Sequence, residues 1–454
     1  LKLFLKIAAI VLVCFLILPS VIWILLLKLE GEKPAIQISP SSSNIGISQI
    51  QVSVSDKKSG IKKLWVGLLK ESKEIVLIEK SFPSSFIGRG RIHEKSLSAL
   101  VEPRKMGITD GKAILRIVVK DYSWRGWGHG NKTYIEKEIT IDTRPPGINV
   151  LSKSSAYSIA QGGSNFVVYR VSEPCLKSGL FVGKNFFPAY SSPDIIKDAN
   201  TFIVLFAVGY QQDTNSRISV EATDLAGNTG RAGFPYNIRK SKFRRDILNI
   251  PDKFLNQKIP EFENELHIDP QLSMKEKFLI VNNALRKENE KTFMEIAKKS
   301  DSKIYWEGEF LRFPGKKMAS FADYREYKYN GHIIDAQTHM GIDIASIAES
   351  PVPAANHGKV VFAGYIGIYG ETVVIDHGIG LFTTYSHLTN FSVKEGQMIN
   401  KGDIIGNTGI TGLAGGDHLH FGVIVHNTFV NPIEWWDLKW VKNNILNKIK
   451  DIGK

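Results

Sequence analysis

His418-Leu-His-Phe-Gly-Val-Ile-Val425 is the stretch on which the reading of this chain turns. Side chains alternate along a strand, so His418 and His420 share one face while Leu419 and Phe421 take the other. Two imidazoles on one face, at the head of an apolar run, are costly in a core unless a metal or a polar partner uses them. Upstream, His339-Met-Gly-Ile-Asp343 adds another imidazole and a carboxylate, with Gly341 allowing a tight bend between them. A set of two histidines and one aspartate leaves a position open on tetrahedral zinc, the composition of a catalytic rather than a structural site. His387, in Tyr385-Ser-His-Leu388, lies at the end of a further strand.

Eight of the eleven histidines lie between residues 332 and 426. This region is built from short apolar runs punctuated by glycine: VVFAG, TVVIDHG, LFTTYSHL, DIIGNTG. Glycine supplies the positive φ that hairpins need, so the pattern predicts an all-β domain with tight turns. There is no H-E-x-x-H, hence no helix-borne glutamate base.

The segment from about residue 308 to 437 resembles the lysostaphin/LytM-type zinc peptidases, which cleave peptide bridges in peptidoglycan. The matching motifs are H-M-G-I-D at 339–343, T-T-Y-S-H-L at 383–388 and G-D-H-L-H-F at 416–421, in the family's order. The resemblance implies one zinc per chain, with His339, Asp343 and His420 as ligands and His387 and His418 as the catalytic pair. It implies a β-sheet scaffold with the metal at the floor of an open groove, in which an extended peptide lies like an added strand. Zinc would polarise the scissile carbonyl and acidify its bound water, while one imidazole accepts a proton and the other steadies the oxyanion. The role split between His387 and His418 is left open.

Other polar residues here have blander readings. His377 and His357 each precede a glycine and read as structural. His332 and His426 are possible cleft residues. Asp335 and Asp417 are possible partners that orient an imidazole. Tyr385 reads as packing before oxyanion contact, and residues 410–416 as a glycine-shaped loop at the cleft rim.

The chain has 454 residues, 43% apolar, with a net charge of +13. That excludes a disordered chain and predicts several domains. The charge suits an anionic partner, whether nucleic acid, acidic lipid or cell-wall polymer, or simply a lysine-rich surface. Two cysteines, Cys14 and Cys175, give no disulfide framework. Residues 7–27 read IAAIVLVCFLILPSVIWILLL without a charge, which as a helix spans roughly 30 Å, enough to cross a bilayer; a cleaved signal peptide is the alternative, but the run is long for one and no A-x-A site follows it.

The expected architecture is mainly β. A transmembrane anchor (1–33) precedes two tandem immunoglobulin-like β-sandwiches (34–147 and 148–238), since SDKKSGIKKLWVG at 55–67 is echoed by SEPCLKSGLFVG at 172–183. A basic helical linker (239–302) follows, with a capping box at Ser273 and Glu276. The zinc peptidase domain (303–437), of the lysostaphin-type duplicated hybrid motif, leads to a C-terminal helix (438–454). Together these predict a single-pass protein of the inner (cytoplasmic) membrane, its bulk periplasmic, hydrolysing peptidoglycan peptide stems; nucleic acid is not an expected partner. The alternatives are a non-catalytic regulator of cell-wall amidases and a wall-binding scaffold. A further possibility is that residues 239–302, or the loop around 327–335, occupy the groove.

Overall fold

A computed structural model describes residues 2–450 apart from 86–88, 126, 128, 152–156, 192–197 and 264. The chain divides into two compact units, 1–146 with 223–229, and 147–222 with 230–454. The first division falls in the Asp142-Thr-Arg-Pro-Pro-Gly147 stretch, where two prolines fix φ and remove backbone donors.

The first unit opens with the helix Lys2–Lys28, which contains Pro19. Several of its side chains lie outside the described residues, and counted on the described residues no helix is long and apolar enough to cross a membrane. A β-sandwich follows. One sheet orders Ala35–Ser39, Ser48–Ser55 and Glu94–Val101; the other orders Asn44–Ile45, Lys132–Ile141, Gly111–Asp121, Ile61–Lys70 and Lys73–Ser81. Ile50, Val52 and Val54 point inward at alternate positions and meet Leu64, Val66, Leu115 and Ile117 from the facing sheet.

In the second unit the β-strands before residue 240, the segment 239–302 and the histidine-rich region share one hydrophobic core. The sheets before residue 240 order Thr201–Ala207, Ser164–Val171, Ile148–Val150, and Asn185–Pro188, Cys175–Val182, Ile218–Asp224, Thr229–Ala232. Segment 239–302 is not helical throughout. Arg245–Asn249 is a strand pairing in parallel with Tyr324–Tyr329, and the helices Asp252–Lys258, Met274–Ile280 and Arg286–Ile296 follow. Ser273 and Glu276 form the expected capping box.

The histidine-rich region is a ten-stranded sheet whose central path runs Lys316–Ala319, Ile342–Ala345, Leu419–Val425, Leu381–Phe391, Gly370–Gly378, Gly358–Ile366. Residues 327–335 form a hairpin rather than a loop: Tyr324–Tyr329 pairs with His332–Thr338, turning at Asn330 and Gly331, both at positive φ. The C-terminal helices bury Val441 and Ile445 in the core; 451–454 lie outside the described residues. Glu434 accepts the Ser164 N–H at 2.8 Å, tying this end to the preceding β-strands.

Candidate metal centre and active site

Strand register brings the first residues together. Ile342–Ala345 and Leu419–Val425 are antiparallel neighbours in which Asp343 stands opposite His420. His339 is delivered by the turn before Ile342–Ala345, its backbone held by exchange with Ala322 and Asp323. Gly341 serves this turn through close approach rather than freedom of φ. A Cβ there would sit 2.5 Å from His420 Nε2 and 2.7 Å from the Phe421 carbonyl oxygen.

The donor atoms converge. His339 Nε2 lies 2.9 Å from both Asp343 Oδ1 and His420 Nδ1, and His420 Nδ1 lies 2.9 Å from Asp343 Oδ1. All three residues are buried. His339 Nδ1 donates to the Ser320 carbonyl at 2.9 Å, so in the neutral ring Nε2 is a bare lone pair facing a carboxylate oxygen. Burial lowers the His339 pKa and pushes that of His420 down to about 4, which favours the neutral, metal-ligating form of each ring. Burial would raise Asp343, but the surrounding imidazoles outweigh it and hold the carboxyl well below its usual range. Two imidazole nitrogens and one carboxylate oxygen, a set of this N,N,O kind, suit zinc. Three donors so spaced share a common point about 2 Å from each, the length of a zinc–ligand bond.

Two further imidazoles face the same place. The rings of His387 and His418 lie 4.8 Å apart between centroids, and those of His387 and His420 5.8 Å. His387 sits at a φ of 62°, a left-handed conformation that is uncommon outside glycine and stores strain. Its Nδ1 donates to the Thr411 carbonyl at 2.9 Å. His418 Nδ1 donates to the Gly416 carbonyl at 2.7 Å. The expected rim loop at 410–416 therefore fixes both tautomers and turns both Nε2 atoms away from itself. Burial, then the neighbouring His418 and His420, lower His387 well below the ordinary imidazole value. Burial works against a proton on His418 too, but Asp343, with Oδ1 3.6 Å from His418 Nε2, outweighs it and the pKa is raised.

The remaining expectations sort cleanly. His377 is fully buried between the His357 carbonyl and Thr383 Oγ1, and His357 accepts the Lys401 N–H, so both are structural. Tyr385 is buried with its hydroxyl on Ala355 N–H and Thr383, away from the centre. His426 packs on Tyr190 and Phe187 rather than lining the cleft. Among the described residues Asp335 meets no imidazole; it binds Asn282, Asn283 and Gln337 and fastens the helical segment to the hairpin. Asp417 accepts the Glu349 N–H.

Arg325 is the residue the motifs do not reveal. Its Nη2 donates to Asp343 Oδ2 at 2.7 Å, with both side chains largely buried. Arg325 thus occupies one carboxylate oxygen and leaves Oδ1 for the triad. Its place is set by the parallel pair that sets Asp246 opposite Arg325. Above the triad lies a cavity of about 520 Å³ whose walls include Leu248, Ile250, Phe254, Arg286, Met318 and Leu413. Segment 239–302 is accordingly one wall of the site.

The family model for peptidase family M23 matches residues 337–432. The DD-carboxypeptidase/endopeptidase Mpg of Neisseria meningitidis serogroup B is 41% identical over 95 residues, 21% of this chain and 22% of that protein. The peptidoglycan DD-endopeptidase ShyB of Vibrio cholerae serotype O1 is 32% identical over 133 residues, 28% of this chain and 30% of that protein. The chain thus spans less than a third of the length of these relatives. The catalytic domain of lysostaphin from Staphylococcus simulans matches with 29% identity and a TM-score of 0.23, over 27% of this chain and 92% of that one. With its motifs in order and His339, His387, His418 and His420 gathered near Asp343, the C-terminal part of this chain is a peptidase family M23 domain of the lysostaphin/LytM type.

Proposed function

We propose that this chain is a zinc-dependent endopeptidase that hydrolyses the peptide cross-links of peptidoglycan. The observation that carries the proposal is the buried triad of His339 Nε2, Asp343 Oδ1 and His420 Nδ1, each pair 2.9 Å apart, beside two imidazoles with fixed tautomers. Zinc held by that triad supplies Lewis acidity to a carbonyl and lowers the pKa of water.

The chain's own groups divide the proton work. His387, neutral and with Nδ1–H committed to Thr411, presents a bare Nε2 able to accept a proton. His418, with Nδ1–H on Gly416 and Asp343 nearby, is the ring that holds a proton at Nε2 and steadies negative charge on the substrate oxygen. Arg325 holds Asp343 in one orientation. The choice of peptidoglycan follows the name of the Vibrio cholerae relative, a peptidoglycan DD-endopeptidase.

The same proposal places the protein in the inner membrane, single-pass, its bulk periplasmic. Support comes from the uncharged run at 7–27 and from Phe4, Phe15, Leu18 and Trp23, all more than half exposed on the helix Lys2–Lys28. The two sandwiches, read as immunoglobulin-like, carry the peptidase towards the polymer. The test is digestion of purified peptidoglycan by the full chain in detergent, before and after chelation and after zinc is restored. Cross-linked muropeptides should disappear, persist and disappear again. Persistence in all three arms would refute hydrolysis and favour a regulator.

A further inference from the structure

In the first unit, the loop at residues 122–131 stands where the N-terminal helix ends. It is tied to the chain leaving that helix at both of its ends. Arg125 Nε donates to the Leu29 carbonyl at 3.1 Å and Ser123 Oγ to the Glu30 carbonyl at 3.1 Å. Asn131 Nδ2 donates to the carbonyls of Glu30 at 3.2 Å and Glu32 at 3.1 Å. The Glu30 side chain is itself buried and accepts the Ser59 N–H at 2.9 Å. Residues 29–32 are therefore part of the sandwich rim, and the loop stays beside the helix exit.

Between these ties the loop displays two indoles. Trp124 is 46% exposed and Trp127 is wholly exposed. Trp127 also holds a φ of 57°, a left-handed conformation that for a bulky residue costs on the order of 1–3 kcal/mol. An indole in full contact with water adds the loss of its apolar burial. Among the described residues of this unit, no other large apolar side chain stands on a backbone at positive φ. Arg125 on the loop and Lys132, the first residue of the strand that follows it, supply positive charge.

The neighbouring helix indicates what lies in front of the loop. Val11, Leu12 and Val13 are consecutive and all exposed, as are Val21, Ile22 and Trp23. Consecutive helical positions point about 100° apart, so these side chains look outward on every side and no single protein face covers them. A helix apolar all round belongs in lipid. The loop is hydrogen-bonded at the level of Leu29, where such a helix leaves the hydrocarbon and meets headgroups.

We propose that the 122–131 loop is a membrane-interface foot: Trp124 and Trp127 seat in the phospholipid headgroup region, with Arg125 and Lys132 towards lipid phosphate. This rests on the membrane-anchor reading above. Indoles favour that depth because the ring is apolar and its N–H still reaches polar partners. A lipid occupant is favoured over a glycan because the ties fix the loop to the helix exit, not to a surface facing the polymer.

The test uses the full chain with Trp23→Phe, which removes the indole of the helix, reconstituted in vesicles of phosphatidylethanolamine and phosphatidylglycerol brominated on the upper acyl chain. Two of the seven remaining tryptophans then lie in the loop, so bromination should remove about a quarter of the emission. Trp124→Phe with Trp127→Phe should abolish that loss. Quenching that is absent, or unchanged by the double substitution, overturns the inference while flotation with the vesicles leaves the anchor standing. A chain that does not float overturns both. An emission shift with purified glycan strands and none with lipid overturns the inference in favour of a wall-binding loop.

Discussion

Replacing Gly341 with alanine perturbs the proposed metal centre without changing any of the three residues proposed to hold zinc. The new Cβ would lie 2.5 Å from His420 Nε2, 2.7 Å from its Cε1 and 2.7 Å from the Phe421 carbonyl oxygen. Ordinary contacts begin near about 3.5 Å, so roughly 1 Å must be found. The backbone has little to give, because Ile342 pairs with Phe421 and Asp343 with His420 in the central ladder. The ring of His420 yields instead, and with it Nδ1. Metal–ligand distances tolerate only about 0.2 Å, so zinc affinity should fall by about 10–100-fold or more, the range seen when ligand orientation is lost. Alanine gains about 0.4–1 kcal/mol from the unfolded chain, but overpacking costs about 1–3 kcal/mol, so Tm should also drop modestly. The assay is zinc titration of the full chain against a chromophoric chelator, with Gly233→Ala, where nothing lies within 4 Å, as control. Wild-type affinity in Gly341→Ala, alongside loss of zinc in His420→Ala, would refute the reasoning.

Other perturbations give separable outcomes. Arg325→Met leaves Asp343 Oδ2 without its partner at 2.7 Å; a broken buried pair costs about 3–5 kcal/mol, so Tm and zinc occupancy should both fall, and an unchanged melting curve would count against the assigned role. His387→Gln should keep zinc but lower kcat by about 10²–10⁴-fold with KM little changed, whereas loss of zinc would make it a ligand instead. Burial raises the Glu434 pKa from 4.5 to about 8, partly opposed by Ser164. The folded state therefore holds this proton more tightly than the unfolded chain. That stability is complete below about pH 4.5 and is lost as pH rises through about 8, amounting to a few kcal/mol. Glu434→Gln should flatten the fall in Tm between pH 6 and 9, and an equally steep fall in the variant would exclude Glu434 as its source.

The centre was legible because its chemistry is local. The alternation in HLHFGVIV puts His418 and His420 on one face, and strand Leu419–Val425 with buried Leu419 and Phe421 follows from it. The role of Gly341 was legible only in part: sequence suggests a bend, while the ladder shows a close approach to the His420 ring. Arg325 was hidden because its partner is reached through pairing, not spacing. The strand Arg245–Asn249 carries no clear period and acquires its structure from a parallel partner some eighty residues away. The hairpin beyond it had a usable signal, Asn330-Gly331, a dipeptide suited to two successive positive φ values. Thr411, Gly416 and Ser320 act through main-chain carbonyls, which any residue supplies, so no side-chain pattern could mark them.

The most direct test of the central claim is to measure bound zinc and muropeptide products together, using the full chain on purified peptidoglycan, for wild type and His420→Ala. The wild type should hold zinc and remove cross-linked muropeptides, and the variant should do neither. A wild-type chain that holds zinc yet leaves every cross-link intact, or a variant that cuts as well as wild type, would contradict that claim.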